Sequence, residues 1–404
     1  MLGYLKKILF TFGAVLKSKY KWLAIFFMVL LYRIEFIPDT GGGLAKGIQV
    51  GALFFILCFM FKYDGNFVRK SFRSSNMPIK SILVLYIYAM ISTLWALMPQ
   101  LAFFMSFQNV VMIMLMHWLL TRFSDFKSTE KTFVYFLMLM IILENISVRL
   151  SSQRVLIAHF LPAASSAAIL FSYSIGEYFA TKSIDRERKR FLRDTFVLCV
   201  CFLIINTSGG ANSSALFGFA VALWIARKYI PAFVVTGAAV FILTNHDLLN
   251  EIILTLMPDK NLEQIETGNG RQEIWENLIA AAAEKPVCGW GFACVERTVQ
   301  SIFEDQILSD AHNNYIGMYG SLGIIGLVLF CFHYVVQLFS SLRRRLRPGY
   351  VGIICATSCA MLNGYSYGFM SGKTCSITIA YFAVVILTLS YSKCKYYDRK
   401  AIKR

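Results

Sequence analysis

Two residues of this 404-residue chain have the type and setting for chemistry on a polar substrate, Arg271 and His312. Arg271 follows two glycines, Gly268 and Gly270, and opens a segment whose apolar spacing (Ile274, Trp275, Leu278, Ile279) predicts one face of a helix. A guanidinium is a planar, always-charged fork suited to phosphate oxygens. The two glycines let backbone approach a ligand, and a helix N-terminus favours an anion. The competing reading is a surface arginine paired with Glu273 or Glu276. His312 stands between Asp310 and the run Asn313-Asn314-Tyr315, where polar chain meets an apolar stretch. An imidazole titrates near neutrality and can take a proton from a hydroxyl. Its competing reading is a helix-capping residue.

The other reactive types are less well placed. His117 and His333 fall inside apolar runs, as packing or pore-lining groups, and His159 and His246 lie near the ends of such runs. Metal-ligand spacing is missing: there is no His-x-His, Glu-x-x-His or Asp-x-Asp, so no metal and no cofactor is expected. Cys288 and Cys294 bracket Gly-Trp-Gly-Phe-Ala, and either a disulfide or two free thiols fits that spacing. Glu144 and Glu177 fall in or near apolar runs. Ionisable groups at such depth mark a pathway through the bundle interior or snorkel to an interface.

The elements that must position these residues are membrane helices. The chain is 57% hydrophobic and 16% charged, against about 25% charged in soluble domains. Twelve apolar runs recur, near 22–38, 47–61, 81–98, 101–120, 132–148, 155–179, 195–207, 213–226, 230–245, 313–338, 350–366 and 375–392. The expectation is an all-α polytopic membrane protein with about twelve transmembrane helices. The first true span starts near Trp22 and is not preceded by a cleavable signal peptide. Of the 40 Lys and Arg residues, 31 fall in one alternating set of connections and the two termini. That set is expected to be cytoplasmic, because positive charge accumulates on the inner side. The same distribution accounts for the net charge of +17 without nucleic acid as a partner.

The exception to short connections is 246–311, which holds twelve of the 23 acidic residues and is expected to be a large external loop containing the amphipathic helix after Arg271. The expected organisation is therefore a bundle over 1–245 of about nine helices with a cytoplasmic N-terminus. The loop 246–311 follows, and then 312–404, with the last three transmembrane helices and a basic cytoplasmic C-terminus.

Read together, Gly-Arg271 opening a loop helix, Lys285-Pro-Val-Cys-Gly-Trp-Gly291, and His312-Asn313-Asn-Tyr315 before a run carrying Gly320-x-x-Gly323 resemble the O-antigen ligase and polymerase superfamily. The resemblance implies a GT-C-like glycosyltransferase of the bacterial inner membrane, with its active site facing the periplasm. Its donor would be a glycan on undecaprenyl pyrophosphate, and its acceptor a hydroxyl of a glycan or of lipid A core. A chain-length regulator and a flippase would be partners besides the lipid bilayer. By the same resemblance Arg271 binds the pyrophosphate and His312 assists the acceptor, without a metal, and Asn313 and Tyr315 are expected to contact substrate. One departure stands out. The family commonly has a Ser-Arg pair at an outer helix start, whereas the turn here reads Thr207-Ser-Gly-Gly-Ala-Asn212, with no basic residue from 195 to 226. Arg149 or Arg154 would then take that place, or the turn itself would hold the phosphate. Polymerase is the leading expectation and ligase the alternative. A protein O-glycosyltransferase comes third, and a lipid-glycan flippase is the reading from another class.

Overall fold

A computed structural model describes residue 6 and residues 43–63, 65–120, 126–151, 160–206, 208–244, 271–297, 311–372 and 374–393. Among these residues the secondary structure is helical, with no strand. The helices are α1 (Gly43–Tyr63), α2 (Phe67–Ser74), α3 (Met77–Ile91), α4 (Pro99–Leu120), α5 (Phe126–Ser151), α6 (Phe160–Ala180) and α7 (Arg186–Asn206). They continue with α8 (Gly209–Ile225), α9 (Tyr229–Thr244), α10 (Arg271–Glu284), α11 (Asn314–Leu342), α12 (Tyr350–Ser366) and α13 (Ser376–Lys393). Eleven of the twelve apolar runs thus lie on described helices; the run near 22–38 lies outside the described residues. Among the described residues three helical stretches, Met77–Leu94, Pro99–Trp118 and Asn314–Leu342, are long and apolar enough to cross a membrane.

The two faces of α11 show what surrounds the bundle. Ile324, Val328, Phe332, Val335 and Phe339 lie on its exposed side, while His333, Gln337 and Ser341 on the opposite side are fully buried. An apolar outside and a polar inside is the arrangement lipid demands, since charged or amide groups cost more against hydrocarbon than inside the bundle. Here His333 bridges Ser81 of α3 at 2.8 Å and the Tyr381 hydroxyl of α13 at 2.9 Å. It is a packing histidine.

The middle of the bundle is α6, which packs on α5, α7, α8 and α12. Small residues make the approach close: a Cβ on Gly176 would lie 3.2 Å from the Cα of Gly352 across the α6–α12 contact. At one end of this contact lies a buried ion network. Arg188 of α7 forms a two-pronged pair with Glu130 of α5, through Nε to Oε2 at 2.8 Å and Nη2 to Oε1 at 2.7 Å, and also bonds Glu177. Tyr173 donates to Glu130 at 2.9 Å. Glu177 in turn accepts from the main-chain N–H of Gly349 at 2.7 Å and of Gly352 at 2.8 Å. Its carboxylate therefore closes the N-terminus of α12, where the helix dipole favours negative charge. Glu177 neither marks a pathway nor snorkels. It links α6 to α7 and α12, and through Arg188 the network extends to α5.

Candidate active site

At the opposite end of the bundle, α10 lies across the C-terminus of α12 and the start of α11. Arg271, its first residue, donates through Nη1 to the Ser366 carbonyl at 2.9 Å, in the last turn of α12. One turn along the same face, Trp275 packs its ring edge-on against Tyr365, with centroids 5.3 Å apart. Its indole N–H reaches the Ala311 carbonyl at 3.0 Å. The next residue is His312. Through Arg271 and Trp275, one turn apart, the start of α10 is thus bonded both to the end of α12 and to Ala311, the residue before His312. Leu278 and Ala281 of α10 are buried with Val295 and Ala311, which seats the helix on the bundle.

His312 is held in a left-handed conformation, φ 49°. Such a φ is uncommon for a residue with a side chain, although histidine tolerates it better than branched residues do. It persists only where the surroundings enforce it. They do so from both sides. Trp275 holds the carbonyl before it, and Asn313 after it is the N-cap of α11, its Oδ1 accepting from the N–H groups of Tyr315 at 2.8 Å and Ile316 at 3.1 Å. The helix-capping role weighed for His312 belongs to its neighbour. The Tyr315 hydroxyl donates to the Met361 carbonyl at 3.0 Å, binding α11 to α12. Asn313 and Tyr315 thus build the frame around His312.

The turn that lacks a basic residue is described over residues 208–212. Ser208 caps α8, its hydroxyl accepting from Ala211 N–H at 3.4 Å. The turn lies directly against the end of α12: a Cβ on Gly210 would stand 2.1 Å from Ser366 Oγ. Arg271 and the N-terminus of α8 therefore meet at the same residue, Ser366. Arg149 sits in the last turn of α5 with only its backbone described, and Arg154 lies outside the described residues, as do Gly268, Gly270, His159 and His246.

The Lys285–Gly291 motif has a mechanical role. Gly323 interrupts α11 with φ 66° and ψ −165°, a combination open only to glycine. Residues 286–291 run along this break and take over the hydrogen bonds it frees. Trp290 N–H donates to Gly320 O at 3.1 Å, Gly291 N–H to Ser321 O at 2.8 Å, and Ile324 N–H to Pro286 O at 2.8 Å. On its other side the segment meets the α3–α4 connection, where Trp95 Nε1 donates to Cys288 O at 3.0 Å and Phe292 N–H to Ser92 Oγ at 3.0 Å. Lys285 closes the motif with its ammonium 3.9 Å from the Trp290 ring centroid. Cys288 and Cys294 are both unbridged. The Cys294 thiol is turned inward to the Phe292 carbonyl at 3.4 Å, and burial pushes its pKa up. This clamp was not foreseen from sequence; three glycines at 320, 323 and 326 inside one apolar run were its signal. Among the described residues no group of three His, Cys, Asp or Glu could hold a metal ion.

The comparison with protein families bears on this corner. Residues 195–331 match the family model described as O-Antigen ligase. Over this stretch, about a third of the chain, the protein is similar to O-antigen ligases. Its match runs from within α7, through the 207–212 turn and α10, to the kinked half of α11, and takes in both Arg271 and His312. No curated protein matches the chain. The matched stretch takes in part of Asn314–Leu342, one of the three described helical stretches long and apolar enough to cross a membrane.

Proposed function

We propose that the protein is a polymerase of surface polysaccharide repeat units, taking glycan from undecaprenyl pyrophosphate to a glycan hydroxyl at the periplasmic face of the inner membrane. The observation that carries this reading is the bonding of the start of α10, through Arg271 and Trp275, to the end of α12 and to Ala311, the residue before His312. In this reading the donor pyrophosphate lies at Ser366, between the Arg271 guanidinium and the first turn of α8. The acceptor hydroxyl attacks the anomeric carbon, His312 takes its proton, and lipid pyrophosphate departs with its charge offset by Arg271. Asn313, Tyr315 and Trp275 hold the geometry. No step calls for a metal. This reading gives the phosphate role of the absent Ser-Arg pair to the turn beside Ser366 rather than to Arg149 or Arg154.

The family description favours a second reading, a ligase that moves finished glycan to lipid A core. Deletion in the native host, followed by gel analysis of surface glycan, separates the two. Loss of a polymerase leaves single repeat units on the core. Loss of a ligase leaves bare core while polymer accumulates on the lipid carrier. An unchanged lipopolysaccharide with loss of extracellular polymer assigns the enzyme to capsule or exopolysaccharide. A deletion with no effect on any surface glycan overturns both readings.

A further inference from the structure

At the end of the bundle that carries the Arg188 network, α7 and α8 both pack on α6. Five aromatic rings form a closed circuit across these three helices. Phe171 of α6 meets Phe196 of α7 with centroids 6.4 Å apart, Phe196 meets Tyr178 at 5.4 Å, and Tyr178 meets Phe179 at 5.7 Å. Phe179 meets Phe219 of α8 at 6.4 Å, and Phe219 returns to Phe171 at 6.4 Å. All five are partly exposed, so the circuit is a surface rather than part of the core. Flat rings offer large apolar contact area, and an acyl chain lying on them needs no enclosed cavity.

Two ammonium groups stand at one end of this surface. Lys189 Nζ of α7 lies 5.0 Å from the Tyr178 ring centroid, and Lys228 Nζ, just past α8, lies 4.7 Å from that of Phe179. Tyr178 and Phe179 are neighbours, so the two charges flank one pair of rings. Among the described residues neither ammonium forms an ion pair. Like charges on adjacent rings repel unless an anion lies between them, and each ammonium has three donors to offer one. The level is that of lipid headgroups. Trp224, 55% exposed, and Tyr229, 45% exposed, flank Lys228 in sequence and stand edge-on at 5.1 Å; exposed Trp and Tyr collect at the membrane–water interface. A phosphate between two lysines, with an apolar chain running from it along aromatic rings, is the chemistry of an anionic phospholipid. The donor lipid of the reaction above is a different molecule in a different place. The whole of α8, 17 residues, separates Lys228 from the Ser208 cap beside Ser366.

We propose that Lys189 and Lys228, with the aromatic surface that α6 shares with α7 and α8, bind one anionic phospholipid of the surrounding bilayer, its phosphate between the two ammoniums and an acyl chain on the rings. The inference rests on the chain lying in a membrane and is independent of the glycosyl-transfer reading.

The test uses the full-length protein purified in detergent and titrated with phosphatidylglycerol or phosphatidylcholine, the retained lipid being read by native mass spectrometry. Wild type should hold one phosphatidylglycerol about 25-fold more tightly than phosphatidylcholine, a factor of about five for each lysine. The double variant Lys189→Gln, Lys228→Gln should bind both lipids alike. Arg345→Gln, which removes an exposed cation of the α11–α12 turn, should keep the wild-type preference. Equal binding of the two lipids by wild type, or a preference that survives in the double variant, overturns the site. A preference lost as fully in Arg345→Gln would show diffuse attraction to the basic end of the bundle and also overturns it. So would a dimer that holds no lipid, which would make the rings an interface between copies of this chain. A second measurement needs no variant. Phosphatidylglycerol carrying a photoreactive diazirine on its acyl chain should cross-link to wild-type protein within α6, α7 and α8, and cross-links confined to other helices would overturn the placement. Neither measurement reads transfer, so loss of the transferase reading leaves both outcomes unchanged.

Discussion

Arg271 donates to the main-chain carbonyl of Ser366 at 2.9 Å, so the loop helix is pinned by its first residue to the last turn of α12. A guanidinium has five donors in a fixed fork, and this bond commits one of them while fixing the plane of the rest. Arg271→Ala should lower transfer by about 10²–10³-fold, the usual cost of losing one charge-stabilising donor group. Protein in the membrane should stay near the wild-type amount. Arg271→Lys keeps the charge but loses the fork and should recover little. Full transfer by the alanine variant, measured on lipid-linked glycan, would reduce Arg271 to a surface anchor for α10.

The 207–212 turn gives the second prediction. Because Gly210 lies against Ser366, a branched side chain there must push the start of α8 away from Arg271. Gly210→Val is expected to raise the donor KM about tenfold or more, in keeping with a lost charge-assisted hydrogen bond. Arg149→Ala and Arg154→Ala should each keep at least half of wild-type transfer. A loss in either arginine variant as deep as that of Arg271→Ala would return the phosphate role to that arginine.

A third prediction concerns the ion network at the far end of the bundle. Arg188 is 8% exposed and its partners Glu130 and Glu177 are 2% and 0% exposed. Removing one member of a buried pair strands the other charges, at about 3–5 kcal/mol. Arg188→Met should therefore lower the melting temperature of the purified protein sharply. Pairing it with Glu130→Leu should restore part of the loss, since fewer unpaired charges remain. Transfer measured well below the melting temperature should be unaffected in both, because the network is remote from α10. An unchanged melting temperature in Arg188→Met would mean that packing between α6 and α12 alone holds this end.

What the sequence disclosed depended on whether a residue's partner is local. Apolar runs report burial in lipid or bundle directly, and α3, α4 and α11–α13 stand where those runs predict helices. Arg271 stood out as a basic residue in an acidic loop ahead of an amphipathic pattern, and His312 as a titratable residue where polar chain meets an apolar run. Asn313 was read as a substrate contact because its capping bonds depend on the turn that precedes it. The Lys285–Gly291 segment could be recognised as a motif, yet its purpose needs the break at Gly323, which forms only when 286–291 is there to satisfy it. Glu177 was ambiguous for the same reason, since Arg188 and the N-terminus of α12 are brought to it only by the fold.

His312 carries the last prediction. Its backbone is held at φ 49° between a carbonyl fixed by Trp275 and the cap residue Asn313, so the ring has a defined origin at the start of α11. A neutral imidazole there can accept the acceptor proton as the glycosidic bond forms, a contribution of typically 10²–10⁴-fold. His312→Gln keeps a hydrogen-bonding side chain of similar reach but takes no proton at neutral pH. It should lower kcat by about that factor while donor binding, measured with lipid-linked glycan, stays within a few-fold of wild type. The pH profile must agree. Protonation removes the base, so wild-type kcat should fall as pH drops through the histidine range, about pH 6–7, and level off above it. Trp275→Phe keeps a ring against Tyr365 but loses the bond to Ala311; it should lower kcat with the same pH midpoint, because it loosens His312 without changing the group that titrates. A glutamine variant as active as wild type, or a flat wild-type profile from about pH 5 to 8 under conditions where chemistry limits the rate, would leave His312 only to position the acceptor.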